Sequence, residues 1–365
     1  MPRESSTTAI YNQSLAPLEV TNAGVSTFAG ALRANVKDEH PHVTATIDSY
    51  LSLLERGGKR TRGTLTVAGY EMYGGADPEV AATAAGVVEA MHAYLLVVDD
   101  VVDDADLRRG GPTAHIQLRD FFAGEDMKGD VAKLGVDTAQ NAALYAQHRA
   151  QCELLGLEAV PAGRRILAAR VLNDGLARTS VGQALDIVSA YSGDTNIDDI
   201  LKIATYKTAF YSFLLPLQVG AALAGAPREE LEYFTEYSLN AGLAFQLQDD
   251  IIGTFGEEAV TGKSRMSDIR EGKKTVLVGL ALERANPEER DVLLSALGNA
   301  QLTEPHFLQC LDIMRSTGTL QDVTTEVARY AERACDALAN TPSHWPQAQV
   351  QLLQEVARFS IYRVS

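Results

Sequence analysis

At 365 residues the chain is long enough to bury a sizeable core, as one large domain or two. A net charge of -16 and a pI near 4.9 argue against a nucleic-acid-binding surface. With 46% hydrophobic but only 7% aromatic residues, and much Ala and Leu, the composition favours helices. The cysteines Cys152, Cys310 and Cys335 are far apart and odd in number, so neither a disulfide framework nor a zinc spacing emerges, as expected in a reducing cytoplasm.

The opening MPRESSTTAIYNQS has no apolar core and is not a signal peptide. Residues 1–22 are expected to be mobile, with one domain over 23–365. No run of 18 apolar residues occurs, so no membrane span is expected. Val25 to Val36 reads as a first helix and Thr44 to Arg56 as a second, ended by Gly57-Gly58. Lys59-Arg60-Thr61-Arg62 follows as a basic loop.

Ala81 to Asp106 reads as a long apolar helix interrupted by acid. Residues four apart on a helix lie about 40° apart around its axis, so Asp99 and Asp103 share a face, with Asp100 one step round. His92 lies within about 20–40° of that face. Grouped carboxylates repel and call for a cation. Hard oxygen ligands suit Mg²⁺, which binds through a few carboxylates and is completed by phosphates and water. Arg108 and Arg109, in a turn with Gly110, Gly111 and Pro112, supply planar forks that grip phosphate. Together these residues describe a site for a diphosphate.

Val131 to Leu155 and Gly163 to Tyr191 read as two more helices. Gln183 and Asp186 share a face of the second, either as a polar pair in a bundle interior or as site residues. Residues 193–197 form a loop with a capping Asn. Leu201 to Ala224 is apolar yet holds Lys207-Thr208, and a lysine there is costly to bury without an anion. Pro216 should kink this helix. Pro227 to Phe255 ends in a second acidic pair, Asp249 and Asp250, with Gln246 on the same side. Residues 257–273 make a Gly- and charge-rich loop, a plausible lid, that carries Lys263 and Lys273. Thr275 to Arg284 resumes helix, and 288–363 read as three or four amphipathic helices. No β-hairpin signal is found. The pattern is all-α, a single helical bundle with its active site in a central cavity.

DDVVD with LRRGGPTAH resembles the first aspartate-rich motif of the trans-isoprenyl diphosphate synthases, and FQLQDDIIGTFG their second. ERGGKRTR, HAYLLVVDD, GQALDI, YKTAF and TGK…DIREGKKT match further blocks in order and spacing, from about residue 25 to about 285. The resemblance implies Mg²⁺-dependent condensation of isopentenyl diphosphate with an allylic diphosphate. It assigns up to three Mg²⁺ mainly to Asp99, Asp103 and Asp249, with Asp100 and Asp250 as further catalytic carboxylates. It gives isopentenyl diphosphate to Gly58, Lys59, Arg62, His92 and Arg109. The allylic diphosphate falls to Arg108, Gln183, Asp186, Lys207, Thr208, Gln246, Lys263 and Lys273. A homodimer is also implied. One departure stands out: the second motif ends in Gly253 where the family has a third Asp, which should weaken support around the metal without abolishing it.

Product length rests on the stretch before Asp99. The resemblance puts the pocket floor at Met91, Tyr94 and Leu95 and is strongest to geranylgeranyl diphosphate synthases, with farnesyl diphosphate synthases close behind. A helical wheel sets Tyr94 about 140° from Asp99 and favours Leu95 instead. Two other readings compete, a class I terpene cyclase and a regulatory subunit with a decayed site. A cyclase needs neither the GGKR block nor the arginine pair, and a decayed subunit typically loses the aspartates.

Overall fold

Caps and prolines delimit the helices of the computed structural model, which describes residues 15–192, 196–256 and 264–362. Helix α1 (Leu15–Val36) starts at Leu15, well before Val25. Residues 15–22 are thus helical rather than mobile, and buried Thr21 donates its hydroxyl to the Pro17 carbonyl at 2.7 Å. Residues 1–14 lie outside the described residues. Pro41 opens α2 (Pro41–Glu55) at a first-turn position, where no amide hydrogen is needed. α3 (Thr61–Met72) precedes α4 (Pro78–Val102), which is capped by Asp77 through the amides of Glu79 and Val80.

α4 ends at Val102, earlier than the expected Asp106. Asp104 turns left-handed at φ 49°, and the amides of Asp104 and Ala105 bond back to Val101 and Asp100. This is a Schellman closure, with Asp where Gly is commoner. A minimal hairpin follows, contrary to the expectation of none: β1 (Leu107–Arg108) pairs antiparallel with β2 (Gly111–Pro112). Its central residues, Arg109 and Gly110, both have positive φ, 51° and 71°, as a two-residue hairpin of the primed type requires.

Next come α5 (Ala114–Ala123), α6 (Val131–Leu155) and α7 (Ala162–Tyr191). α8 (Ile197–Ala204), capped by Asn196, runs into a π-helical segment (Thr205–Leu214) and then α9 (Leu215–Ala224). A 3₁₀ stretch (Arg228–Phe234) precedes α10 (Thr235–Phe255), so the regular helix starts later than Pro227. The remainder is α11 (Ser267–Arg270), α12 (Val276–Arg284), α13 (Pro287–Ala296), α14 (Glu304–Ser316), α15 (Thr319–Ala337) and α16 (Gln347–Tyr362). The chain is all-α apart from the hairpin.

These elements group into two compact units, residues 1–171 with 216–231, and 172–215 with 232–365. In the first unit, α4 packs on α1, α3 and α6. α1 contributes Val25, Phe28, Leu32 and Val36 at helical spacing. Tyr50 on α2 donates its hydroxyl to the Ala90 carbonyl at 2.6 Å, and burial pushes that phenol's pKa up. α4 is long and apolar enough, by length and composition alone, for a membrane-crossing helix, although Glu89 interrupts its apolar run. Yet 67% of that stretch is buried, and Glu89 and His92 sit within it, so α4 is the core helix of the unit.

In the second unit α10 packs on α15, α16 and the π-helical segment. Tyr237 donates to the Leu353 carbonyl at 2.8 Å, and Phe234 stacks on Trp345 with ring centroids 4.7 Å apart. Leu277, Leu282, Phe307, Met314 and Val323 form the core beneath.

Candidate active site

The Schellman turn fixes the acidic end of α4, and the three aspartates there divide their work. Asp100 is fully buried and accepts from Arg108 at 2.6 Å (Nε) and 2.5 Å (Nη2). Asp99 is 3.5 Å from the same guanidinium. Asp99 and Asp103 keep partial exposure and lie one helical turn apart, with the Asp103 amide bonded to the Asp99 carbonyl at 2.8 Å. Arg108, expected to hold substrate, is thus also the internal counter-ion of Asp100. The hairpin carrying it is braced by Arg56, which donates to the carbonyls of Arg108 (2.9 Å) and Pro112 (2.8 Å). Sequence reasoning left Arg56 out because nothing in its spacing separates it from a solvated helix end.

A few residues away is a cluster of cations. Arg109 donates to the Leu53 carbonyl at 3.2 Å, and its guanidinium lies against Gly58, where a Cβ would come within 3.2 Å of it. Burial, together with Arg60, Arg62 and Arg108 nearby, brings the Arg109 pKa down to about 10. His92 is buried, and burial plus the same arginines hold its pKa well below the usual imidazole range. It is therefore neutral and able to share a hydrogen bond without adding charge.

The basic loop is sorted by backbone conformation. Arg60 takes a left-handed φ of 51° and turns inward, with Nη1 3.3 Å from Glu89 and Nη2 2.7 Å from the Leu54 carbonyl. Lys59 stays exposed and Arg62 half-buried. The structural use of Arg60 was invisible in KRTR, because its partner Glu89 lies on another helix. His115, buried near Asp100, was quoted in the first motif but given no role. Burial holds its pKa down, while Asp100, Asp104 and Asp106 act the other way.

In the second unit the π-helical segment carries Lys207 and Thr208. Both of its flanks are approached at glycine. A Cβ on Gly182 of α7 would meet the Lys207 amide nitrogen at 2.4 Å, and one on Gly242 of α10 would meet the Ala209 Cβ at the same distance. The wide segment therefore seats against both helices, and the expected disturbance begins well before Pro216. Lys207 Nζ is 2.6 Å from Asp186, which therefore pairs with the π-helical segment. Thr208 donates to Gln246 at 2.6 Å, and Gln246 donates on to Asp250 at 2.8 Å. Burial first, then the charges of Asp268, Asp249 and Asp186, push the Asp250 pKa well above the carboxylate range, while the Gln246 bond opposes this. Asp249 is half-buried on α10 and Gln183 half-buried on α7. Lys273 is 2.6 Å from Glu271 and 3.9 Å from Asp268. Lys263 and the first part of the expected lid, 257–263, lie outside the described residues.

Among the described residues no three carboxylate, imidazole or thiolate side chains converge as a ready-made metal cage. Mg²⁺ takes one or two carboxylates and completes its shell with phosphate and water. Asp99 with Asp103, and separately Asp249, offer such partial donor sets.

The polyprenyl synthetase family model matches residues 44–314. A geranylfarnesyl diphosphate synthase from Aeropyrum pernix is 33% identical over 297 residues, covering 80% of this chain and 86% of its own. A geranylgeranyl diphosphate synthase from Saccharolobus solfataricus is 32% identical over 311 residues, covering 85% and 88%. Among solved structures, a geranylgeranyl pyrophosphate synthase from Corynebacterium glutamicum, complexed with isoprenyl diphosphate and magnesium, superposes with a TM-score of 0.88 at 27% identity, covering 94% and 98%. The chain belongs to the polyprenyl synthetase family. It is a transferase, a prenyltransferase of isoprenoid biosynthesis with the helical fold of that family.

Proposed function

We propose that the chain condenses isopentenyl diphosphate with an allylic diphosphate in a Mg²⁺-dependent reaction and releases geranylgeranyl diphosphate. The observation that carries this reading is the arginine cluster around His92. Arg109, held down by burial and by the neighbouring arginines, and the His92 imidazole, held down by burial and the same cations, mark a site that gains when an anion enters. A diphosphate is the anion that Arg62, Arg109 and exposed Lys59 suit, with Gly58 leaving room for the Arg109 guanidinium beside it. Asp99, Asp103 and Asp249 would hold magnesium, up to three ions, which when bound neutralises leaving-group charge.

The allylic C–O bond breaks with its electron pair going to the diphosphate. The double bond of isopentenyl diphosphate attacks the cation, and the proton then lost passes to the released diphosphate. Lys207 orients the leaving diphosphate and stabilises its charge, while Thr208 and Gln246 fix the geometry beside it. The acidic motifs, largely intact with Gly253 the one departure, speak against a decayed regulatory subunit. The apolar residues Val181, Leu185 and Val188 are exposed and lie roughly 140–200° round α7 from Gln183, which supports a homodimer through that far face. Three unpaired cysteines support a cytoplasmic location.

Product length is assigned to the α4 residues below Asp99. Met91 is packed in the core, whereas Tyr94 and Leu95 are only half-buried, which supports those two side chains as the floor. Each isoprene unit adds roughly 5 Å, about three residues of helix rise. Chromatography of dephosphorylated products should give twenty-carbon chains from the wild type, at least one unit longer from Tyr94→Ala, and shorter ones from Leu95→Phe. Diphosphate release without isopentenyl diphosphate would indicate a cyclase, and none at all a subunit. An unchanged distribution from active Tyr94→Ala would remove Tyr94 as the floor.

The two diphosphates should separate kinetically. Lys59→Ala and Arg62→Ala are expected to raise the KM for isopentenyl diphosphate about tenfold or more, the worth of one charge-assisted phosphate contact. Lys207→Ala should act on the allylic substrate and on kcat. Equal effects of all three on both substrates would dissolve the two-subsite assignment.

A further inference from the structure

Gly253 lies one turn after Asp249 on α10, so a side chain there would share the face of the second acidic motif. The space it would fill is taken. A Cβ built on Gly253 would come within 2.8 Å of Asp268 Oδ2, closer than real Cβ atoms approach a neighbour, with Asp268 Cγ at 3.8 Å. A carboxylate therefore already stands where position 253 would project one, delivered by a different helix.

That delivery is firm. α11 is a single turn, but Met266 and Ile269 beside Asp268 are buried in the core of the second unit. The Ile269 carbonyl accepts from the Gly298 amide at 2.9 Å, and Arg270 donates to the Leu302 carbonyl at 3.0 Å. The Asp268 carbonyl accepts from the Lys273 amide at 2.9 Å, closing the turn. The side chain keeps about a quarter of its surface, so it is neither fully packed away nor loose.

We propose that Asp268 is the positioning residue that completes the second acidic site, supplying from α11 the carboxylate the motif lacks at Gly253. The inference rests on the prenyltransferase reading of that site. It acts on the ligands of the metal–diphosphate complex rather than on a reacting atom. The glycine is then part of the arrangement, since a side chain at 253 would push the Asp268 carboxylate out of its place, and an Asp there would add like-charge repulsion.

The test is a two-by-two set: wild type, Gly253→Asp, Asp268→Ala and the double variant Gly253→Asp/Asp268→Ala, with Asp268→Asn as a shape-preserving control. The probe is Mg²⁺ titrated in the presence of inorganic diphosphate, read by calorimetry and by the rise in melting temperature. Product formation is measured alongside. Asp268→Ala and Asp268→Asn should weaken Mg²⁺ binding by about tenfold or more, the usual effect of losing a partner that orients a metal ligand. Gly253→Asp should also weaken it, and the double variant should recover most of the loss. Wild-type affinity in Asp268→Asn, in a preparation that still makes product, overturns the inference and leaves the family reading standing. So does a double variant no better than either single one. A wild-type chain that binds no Mg²⁺ with diphosphate and forms no prenyl product overturns the functional reading, and this inference with it.

Discussion

Asp103→Ala is expected to lower kcat by at least two orders of magnitude at saturating Mg²⁺, with the fold intact. Of the three aspartates ending α4, Asp100 is committed to Arg108, and Asp99 lies 3.5 Å from the same guanidinium. Asp103 sits at the helix cap with partial exposure. A ligand to a metal that carries leaving-group charge is worth several kcal/mol, and each 1.36 kcal/mol is a factor of ten in rate. The fold should tolerate the change because Asp99, Asp100, Asp104 and Asp106 crowd the same turn, and removing one of several like charges relieves repulsion. The measurement is steady-state kinetics across a Mg²⁺ series, with circular dichroism as the fold control. Near wild-type turnover would remove Asp103 from the metal site.

Glu89→Ala should be the costliest single change to stability, about 3–5 kcal/mol, because it strands a buried cation. Arg60 and Glu89 have side chains 4% and 2% exposed. Glu89 accepts from Arg60 at 3.3 Å through one oxygen, and from the Gly63 amide in the first turn of α3 at 2.9 Å through the other. Without it Arg60 would face Arg62 and Arg109 with no opposing charge. Denaturant unfolding should show the loss directly. Arg60→Met/Glu89→Leu, which removes both charges at similar volume, should recover much of it. A loss under 1 kcal/mol for Glu89→Ala would mean that water or a rearranged side chain reaches Arg60.

The contrast between Arg60 and its neighbours shows where the sequence stopped being readable. Two helix starts were legible because they carry local chemistry, Asp130 and Asn196 capping the amides that follow them, whereas the Asp77 cap starts α4 three residues before the expected Ala81. The aspartate motifs were legible because helical spacing alone puts Asp99 and Asp103 on one face. Which cation in KRTR turns inward was not, since it depends on one left-handed residue and on an acid on another helix. The early end of α4 was hidden for a related reason, because Asp104 occupies a conformation that glycine normally marks. Asp268 escaped notice because a motif read along one helix cannot show a carboxylate arriving from another. The hairpin at Arg109-Gly110 went unseen because two-residue strands have no alternation to detect.

The π-helical stretch has a consequence for how this chain can tolerate change in length. Each π turn holds about one residue more than an α turn, so the segment stores slack that an ordinary helix lacks. Removing one residue between Thr205 and Leu214 would let the coil tighten to α geometry, sparing α8 and α9 from the displacement a deletion elsewhere in a helix would force. The residues inside would nonetheless rotate about the axis, carrying Lys207 away from Asp186 and Thr208 away from Gln246. The segment is therefore a place where the protein could shed a residue and keep its fold, while losing the alignment that its widened turns maintain.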